Sequence, residues 1–490
     1  MSEATSNKKV ISNSIIYTAT GLLLKCFSFF LLPLYTAYLS TEDYGIRSIA
    51  ESFMSTMGFV VAFSLFSAVN RFYVDLKNDS EKLKRFYGTV ILFTFASSGI
   101  WVIVLTAFRE YLSKIVFTGI DFYPVICICL ISLVFSCEHN IYENILKSQQ
   151  KALKVSILSI SYFVLTVCLN ILFIVRMRLG VTGVLLATLI SSFSYTVYFL
   201  SDMFYHKEIT LCFDSNLLKS ALKYSIPIMP HNLSTQIALL ISKVLIGDTG
   251  TLSVLGIYSV ATQFGNVADT VQVYVNSAYG PWLYEKLHAK ETGYKNDIRK
   301  VVKLMISCIG LFFICLSLFA HDFIVLFIDH RYIYAWRYIP LIVGVFSIKT
   351  IYYFYVNILF YYKKASRLLF IATLTSSLIN VFLSLFMIPK WGAFGSIAAD
   401  AIAMLFRVMI IVYISEKFDD IGLKIKDFVI NFFVVISFIF AGLSLSFLKY
   451  SEVFSIYNLV FKIFVVMLYC LFIYFRNKEQ IDKLIKKKIS

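Results

Sequence analysis

Arg47 and Glu51 stand four residues apart in GIRSIAESF (45–53), inside an apolar stretch long enough to cross a membrane. A charge at bilayer depth costs about 2.5–3.5 kcal/mol on insertion scales, so it ordinarily faces a cavity or a partner. With the cation N-terminal, the pair itself contributes only ~0.2–0.5 kcal/mol at best on a helix. That is too little to account for a glutamate two turns into a span, so Glu51 is expected to face a cleft and Arg47 to lie at the interface. Lys25 sits near the middle of GLLLKCFSFFLLPLY, too deep to snorkel easily to either surface. Pro33, two turns later, removes a backbone donor and can bend the helix. Such a lysine suits either an anionic headgroup in a cleft or an internal partner such as Glu51. Arg71, in AVNRFYVDL, either meets a phosphate entering from the cytoplasm or anchors the end of its helix.

Other ionisable groups fall at predicted membrane depth. Lys243 lies near the outer end of its span, and Asp269 and Lys349 near the centres of theirs. Glu138, His139 and Glu143 follow one another down one helix, while Asp400 and Arg407, seven residues apart, share a face of another. His139 is a candidate proton carrier because imidazole titrates in the physiological range; the alternative is a histidine that only satisfies hydrogen bonds in a polar patch. A carboxylate acting with Lys25 is a second candidate for a proton- or sodium-responsive switch.

Bond-breaking chemistry has no signature here. The chain holds no G-x-S-x-G elbow, no H-E-x-x-H helix and no GxxxxGK[ST] phosphate loop. Its nine cysteines lack the spacing of a metal site or a secreted disulfide framework. A protein that is not an enzyme, with no metal and no cofactor, is expected, and ATP hydrolysis in this chain would not drive transport.

The elements that must position these residues are apolar helices. Of 490 residues, 59% are hydrophobic and 15% charged, with a mean hydropathy of +0.77, too apolar for a soluble chain. Helices are expected over about 13–39, 45–69, 87–108, 122–146, 153–175, 181–204, 220–247, 252–279, 301–320, 335–360, 366–389, 393–415, 428–448 and 455–475. This gives an all-α polytopic membrane protein of about fourteen transmembrane helices. The net charge of +16 resides mostly in short connections and in the tail RNKEQIDKLIKKKIS, which argues for both termini in the cytoplasm and against nucleic acid as a partner.

GIRSIAESF has an echo in GIYSVATQF (256–264). NILKSQQKA (144–152) likewise parallels NILFYYKKA (357–365), and GVTGVLLA (180–187) parallels GAFGSIAA (392–399), in the same order and at nearly constant spacing. The pattern indicates two six-helix lobes in a parallel internal repeat around a central cleft, with two C-terminal helices outside it. The expected domains are 1–205, 206–425 and, for the added helices and basic tail, 426–490. Gly45 and Gly256 are read as positions of a tight turn or a close backbone approach. Tyr258 and Thr262 occupy the places of Arg47 and Glu51 in the second copy, so the repeat does not require those charges.

The segment LPLYTAYLS (32–40), the following EDYG (42–45) and NRFY (70–73) resemble the polysaccharide biosynthesis and O-antigen flippase family. That family lies in the superfamily of multidrug and toxin extruders and the lipid II flippase. The resemblance is strongest over residues 10–75 and extends loosely over 1–415. It implies a multi-pass protein of the bacterial inner membrane. Such a protein moves an undecaprenyl-pyrophosphate-linked oligosaccharide, an O-antigen or related lipopolysaccharide unit, to the periplasmic leaflet by alternating access. Membrane lipids are expected partners; a polysaccharide polymerase and a chain-length regulator are candidates. On this reading Lys25, Arg47, Arg71, Lys243, Lys349 and Arg407 are candidate headgroup contacts. Glu51, Glu138, His139, Glu143, Asp269 and Asp400 are candidates for coupling to protons, sodium or the membrane potential, or for polar cleft contacts. The rival readings are a cation-coupled small-molecule antiporter and a structural component of a glycan assembly complex.

Overall fold

A computed structural model describes residues 3–362, 368–478 and 482, with side chains from residue 12 onward. The end of the NILFYYKKA echo, the expected helix start at 366 and most of the basic C-terminal tail lie outside the described residues. Long apolar runs adopt helices because only a helix or a closed barrel satisfies the backbone in hydrocarbon. Among the described residues every regular element is helical. Among the described residues, ten helices are long and apolar enough to cross a membrane, or eleven when one bent pair is taken as a single span. The protein is an all-α, multi-pass membrane protein. By internal packing it falls into two compact units, Met1–Gly256 and Ile257–Ser490.

The first unit opens with α1 (Glu3–Phe30) and α2 (Leu32–Tyr38). The break between them falls beside Pro33, where the missing donor allows it. α3 (Thr41–Val61) starts earlier than the expected position 45 because Ser40 and Asp43 form a capping box. The single helix expected over 45–69 is divided: α4 (Leu65–Leu76) is bent from α3 by 46°. Phe63 and Ser64 occupy the left-handed region between them, at φ 47° and 53°. The break is braced from α5 (Ser80–Ala107), whose Ser97 hydroxyl donates to the Val61 carbonyl at 2.7 Å. A short α6 (Arg109–Ile115) precedes α7 (Cys127–Ser148), α8 (Ala152–Asn170) and α9 (Gly180–Tyr205). Leu65, Phe86, Ile141, Tyr142 and Phe199 form part of the buried core that joins α4, α5, α7 and α9.

The helix expected over 220–247 is also divided, into α10 (Ser215–Ser225) and α11 (Met229–Thr249), around Pro227 and Pro230. α11 packs against α3, so it belongs by contact to the first unit. α12 (Leu252–Ala289) begins there and continues into the second unit. The close approach expected at the echoed glycines is present and reciprocal. A side-chain carbon on Gly45 would collide with the Leu252 carbonyl oxygen, and one on Gly256 with the Thr41 carbonyl oxygen. The Thr41 and Ser253 hydroxyls share a hydrogen bond of 2.6 Å at the same crossing.

The second unit contains the rest of α12, then α13 (Tyr294–Phe327), α14 (Ala335–Tyr361), α15 (Leu368–Phe418), α16 (Ile425–Leu448) and α17 (Ile456–Arg476). α15 runs through both helices expected at 366–389 and 393–415, with a break at Gly392, φ 55°. Gly180, its counterpart in the sequence echo, has φ 56° where α9 begins. α16 and α17 pack against α13 and against each other.

Candidate functional site

The residues around Arg47 are largely those of the LPLYTAYLS and EDYG segments. Asp43 accepts from the Ser40 backbone N–H at 3.3 Å and, through its other oxygen, from the Val181 N–H at 3.4 Å, linking the starts of α3 and α9. The Tyr35 hydroxyl accepts from the Asn170 amide at 3.0 Å, fixing its ring. The Arg47 guanidinium lies 4.3 Å from the centre of that ring and 5.4 Å from that of Tyr44. A cation over an aromatic face gains roughly 0.5–2 kcal/mol, more when desolvated. Arg47 Nε donates to Glu51 at 2.7 Å, while its Nη1 is buried without a hydrogen-bond partner. Lys243, from α11, donates to the Ser48 carbonyl at 3.3 Å and lies within electrostatic reach of both Arg47 and Glu51.

Glu51 is 48% exposed and lines a cavity of about 360 Å³ among α3, α4, α7 and α11. Its polar lining includes Ser55, Ser136, Asn140 and Gln236; its aromatic lining is Phe59 and Phe66, packed edge to face at 5.6 Å. Ala62 and Phe66, on either side of the helix break, both belong to the lining. Glu138 follows the lining residue Cys137 but points away from solvent: it is fully buried, and neither carboxyl oxygen has a hydrogen-bond partner.

The remaining sequence candidates are dispersed. Lys25 is exposed on α1. Arg71 pairs with Asp75 at 2.6 Å, both about half exposed, and Glu143 pairs with Lys147 at 2.8 Å. His139 stacks on Tyr195 at 4.2 Å and meets Tyr162 edge-on at 4.6 Å. In the second unit Lys349 donates to Asp269 at 2.7 Å, and the Tyr353 hydroxyl donates to the same oxygen at 3.0 Å. Asp400 accepts from Asn380 at 2.6 Å and Arg407 donates to Ser376 at 2.7 Å, so each has its own polar partner on α15.

Two groups of residues escaped the sequence reading. The cavity amides Asn140 and Gln236 lie inside apolar runs, and their position there is the signal that could have found them. The second group is His321 and Asp322, buried beside Lys462, a basic residue already expected within the span 455–475. Lys462 donates to Asp322 at 2.8 Å and approaches His321 Nδ1 at 3.2 Å, while His321 Nε2 lies 2.8 Å from the Tyr450 carbonyl. A carbonyl only accepts, so Nε2 carries the proton and Nδ1 accepts from the lysine. The expected end of that helix at 320 left His321 and Asp322 outside it; α13 continues to Phe327.

The chain belongs to the polysaccharide biosynthesis protein family, whose profile matches residues 10–287. It is 23% identical over 405 residues to Lsg locus putative protein 1 of Haemophilus influenzae, across 80% of this chain and 96% of that one. An uncharacterized membrane protein of the same organism is 23% identical over 373 residues, 75% of this chain and 88% of its own. The fold is similar to that of Lipid II flippase MurJ in its inward closed conformation, with TM-score 0.68 and 16% identity over 94% of this chain and 99% of that one. It also resembles a MATE solved in complex with MaL6, with TM-score 0.54 and 17% identity over 84% and 96% of the two chains.

Proposed function

We propose that the protein is a flippase for an undecaprenyl-pyrophosphate-linked oligosaccharide, moving an O-antigen or related unit from the cytoplasmic to the periplasmic leaflet. The observation that carries this reading is the Arg47 guanidinium beside the cavity, held by Tyr35 and Glu51, with one terminal nitrogen buried and unpartnered. That unpartnered nitrogen is a charge-assisted donor suited to a phosphate oxygen. Lys243 supplies a second positive charge, and Lys25 a further cation exposed on α1. No covalent bond changes; the site is exposed alternately to the two leaflets. Glu138, a buried carboxyl with no fixed partner, is the candidate for coupling to protons.

The same reading includes fourteen spans from a duplicated six-helix unit plus two, with both termini in the cytoplasm. The matched φ angles of Gly180 and Gly392 and the reciprocal contacts of Gly45 and Gly256 support the duplication. The inner membrane, its lipids and the enzymes that polymerise the glycan and set its length are the proposed setting. One observation favours a second reading, a cation-coupled small-molecule antiporter: among the described residues, the charged side chain that lines the cavity is the acid Glu51. Proteoliposomes offered both an undecaprenyl-pyrophosphate disaccharide and an organic cation such as ethidium separate the two. Leaflet transfer of the lipid without cation flux is expected; cation flux coupled to a proton or sodium gradient, without lipid transfer, would replace the flippase with the antiporter.

A further inference from the structure

The cavity and the cations beside it differ in chemistry. Arg47 and Lys243 do not line the cavity, and none of the residues that do is basic. Its polar groups are the Glu51 carboxylate, the hydroxyls of Ser55 and Ser136, and the amides of Asn140 and Gln236. These are the partners of sugar hydroxyl and acetamido groups, which need both donors and acceptors. Phe59 and Phe66 add apolar surface of the kind that covers the C–H face of a pyranose ring. The volume of about 360 Å³ falls within the range of small-ligand pockets, roughly 300–1,000 Å³.

The backbone supports a binding role independently. Non-glycine residues in the left-handed region are uncommon, and two in succession, Phe63 and Ser64, interrupt the span that forms one wall of this cavity. Irregular backbone within a span is tolerated where it lines a cavity or is buried in protein. Ser97 meets the carbonyl released at Val61, so the break is a built feature of the wall.

Glu51 is held in place by Arg47 while remaining half exposed to the cavity. A glycan carboxylate entering there would meet a like charge; a neutral ring would meet an acceptor for its hydroxyls. We propose that this cavity is a subsite for uncharged sugars, hexose or N-acetylhexosamine, and that Glu51 excludes acidic sugars from it. The proposal rests on the flippase reading and names the substrate class of that same site. A sugar chain with uronate near its lipid end is disfavoured, while the pyrophosphate is left to Arg47 and Lys243.

The test uses the full chain in proteoliposomes and two probes on the same undecaprenyl pyrophosphate. One carries galactose–N-acetylglucosamine; the other has glucuronic acid in place of galactose. Wild-type protein is expected to transfer the neutral probe at least about tenfold faster, the scale of one unfavourable like-charge contact. Glu51→Gln is expected to bring the two rates within about threefold by raising transfer of the acidic probe. Asn140→Lys, which leaves the Arg47–Glu51 pair intact, is expected to admit the acidic probe in the same way, so the test survives poor folding of the first variant. Equal transfer of both probes by wild-type protein, or a preference for the acidic one, overturns the subsite and leaves the flippase standing. Transfer of neither probe by well-folded protein removes the flippase reading, and the subsite with it.

Discussion

The two units place charge in their apolar interiors in different ways. In the second, Lys462, Asp322 and His321 saturate one another, and Lys349, Asp269 and Tyr353 do the same. A cavity that Tyr353 helps to line is water-sized, about 10 Å³. In the first, Arg47 keeps one terminal nitrogen unpartnered, Glu51 is half exposed, and the adjacent space measures about 360 Å³. A charge closed by partners holds helices together; a charge left with spare valence beside a cavity can receive a ligand. Ion count therefore separates nothing here, while hydrogen-bond saturation and neighbouring volume do.

That contrast predicts different consequences on substitution. The largest loss is expected for Lys462→Met, which strands Asp322 without its cation. Breaking one side of a buried pair costs about 3–5 kcal/mol, whereas removing both sides is often nearly neutral. The single variant should lose most of its folded, detergent-stable fraction by size-exclusion chromatography, and Lys462→Met with Asp322→Leu should regain much of it. Gly45→Val comes next, since its side chain must displace the Leu252 carbonyl; about 1–3 kcal/mol or more and a clear fall in thermal stability are expected. Ser97→Ala leaves the Val61 carbonyl unsatisfied at the helix break, for about 1–3 kcal/mol and a smaller fall in the same measurement. Arg71→Ala removes only an exposed pair with Asp75 and should change stability by no more than about 0.5 kcal/mol. A large effect there would mean that exposure is a poor guide to the role of charge in the first unit.

Much of the fold was legible because hydrocarbon permits few backbone solutions and apolar runs announce them. The breaks were legible only where a residue type forces them, as at Pro33 and Gly392. The α3–α4 break was not, because Phe63 and Ser64 carry no left-handed signature and are held by tertiary contacts such as Ser97. Within the site, the unshared charges of the echoed motif marked Arg47 and Glu51. Their setting was hidden: Tyr35 lies twelve residues before Arg47 and Lys243 nearly two hundred after it, and sequence spacing cannot bring such groups together. Arg47 was expected at the interface, yet its side chain is only 17% exposed and sits against two tyrosine rings. A close backbone approach was legible at Gly45 and Gly256, but sequence spacing did not say that each glycine would meet the other's helix.

The most direct measurement is leaflet transfer of an undecaprenyl-pyrophosphate disaccharide by proteoliposomes holding wild-type protein or Arg47→Ala at matched abundance. A fall of about tenfold or more is predicted for the variant, with Arg47→Lys recovering only part because a lysine lacks the planar guanidinium. Undiminished transfer by Arg47→Ala would contradict the assignment of this cluster as the site that receives the pyrophosphate.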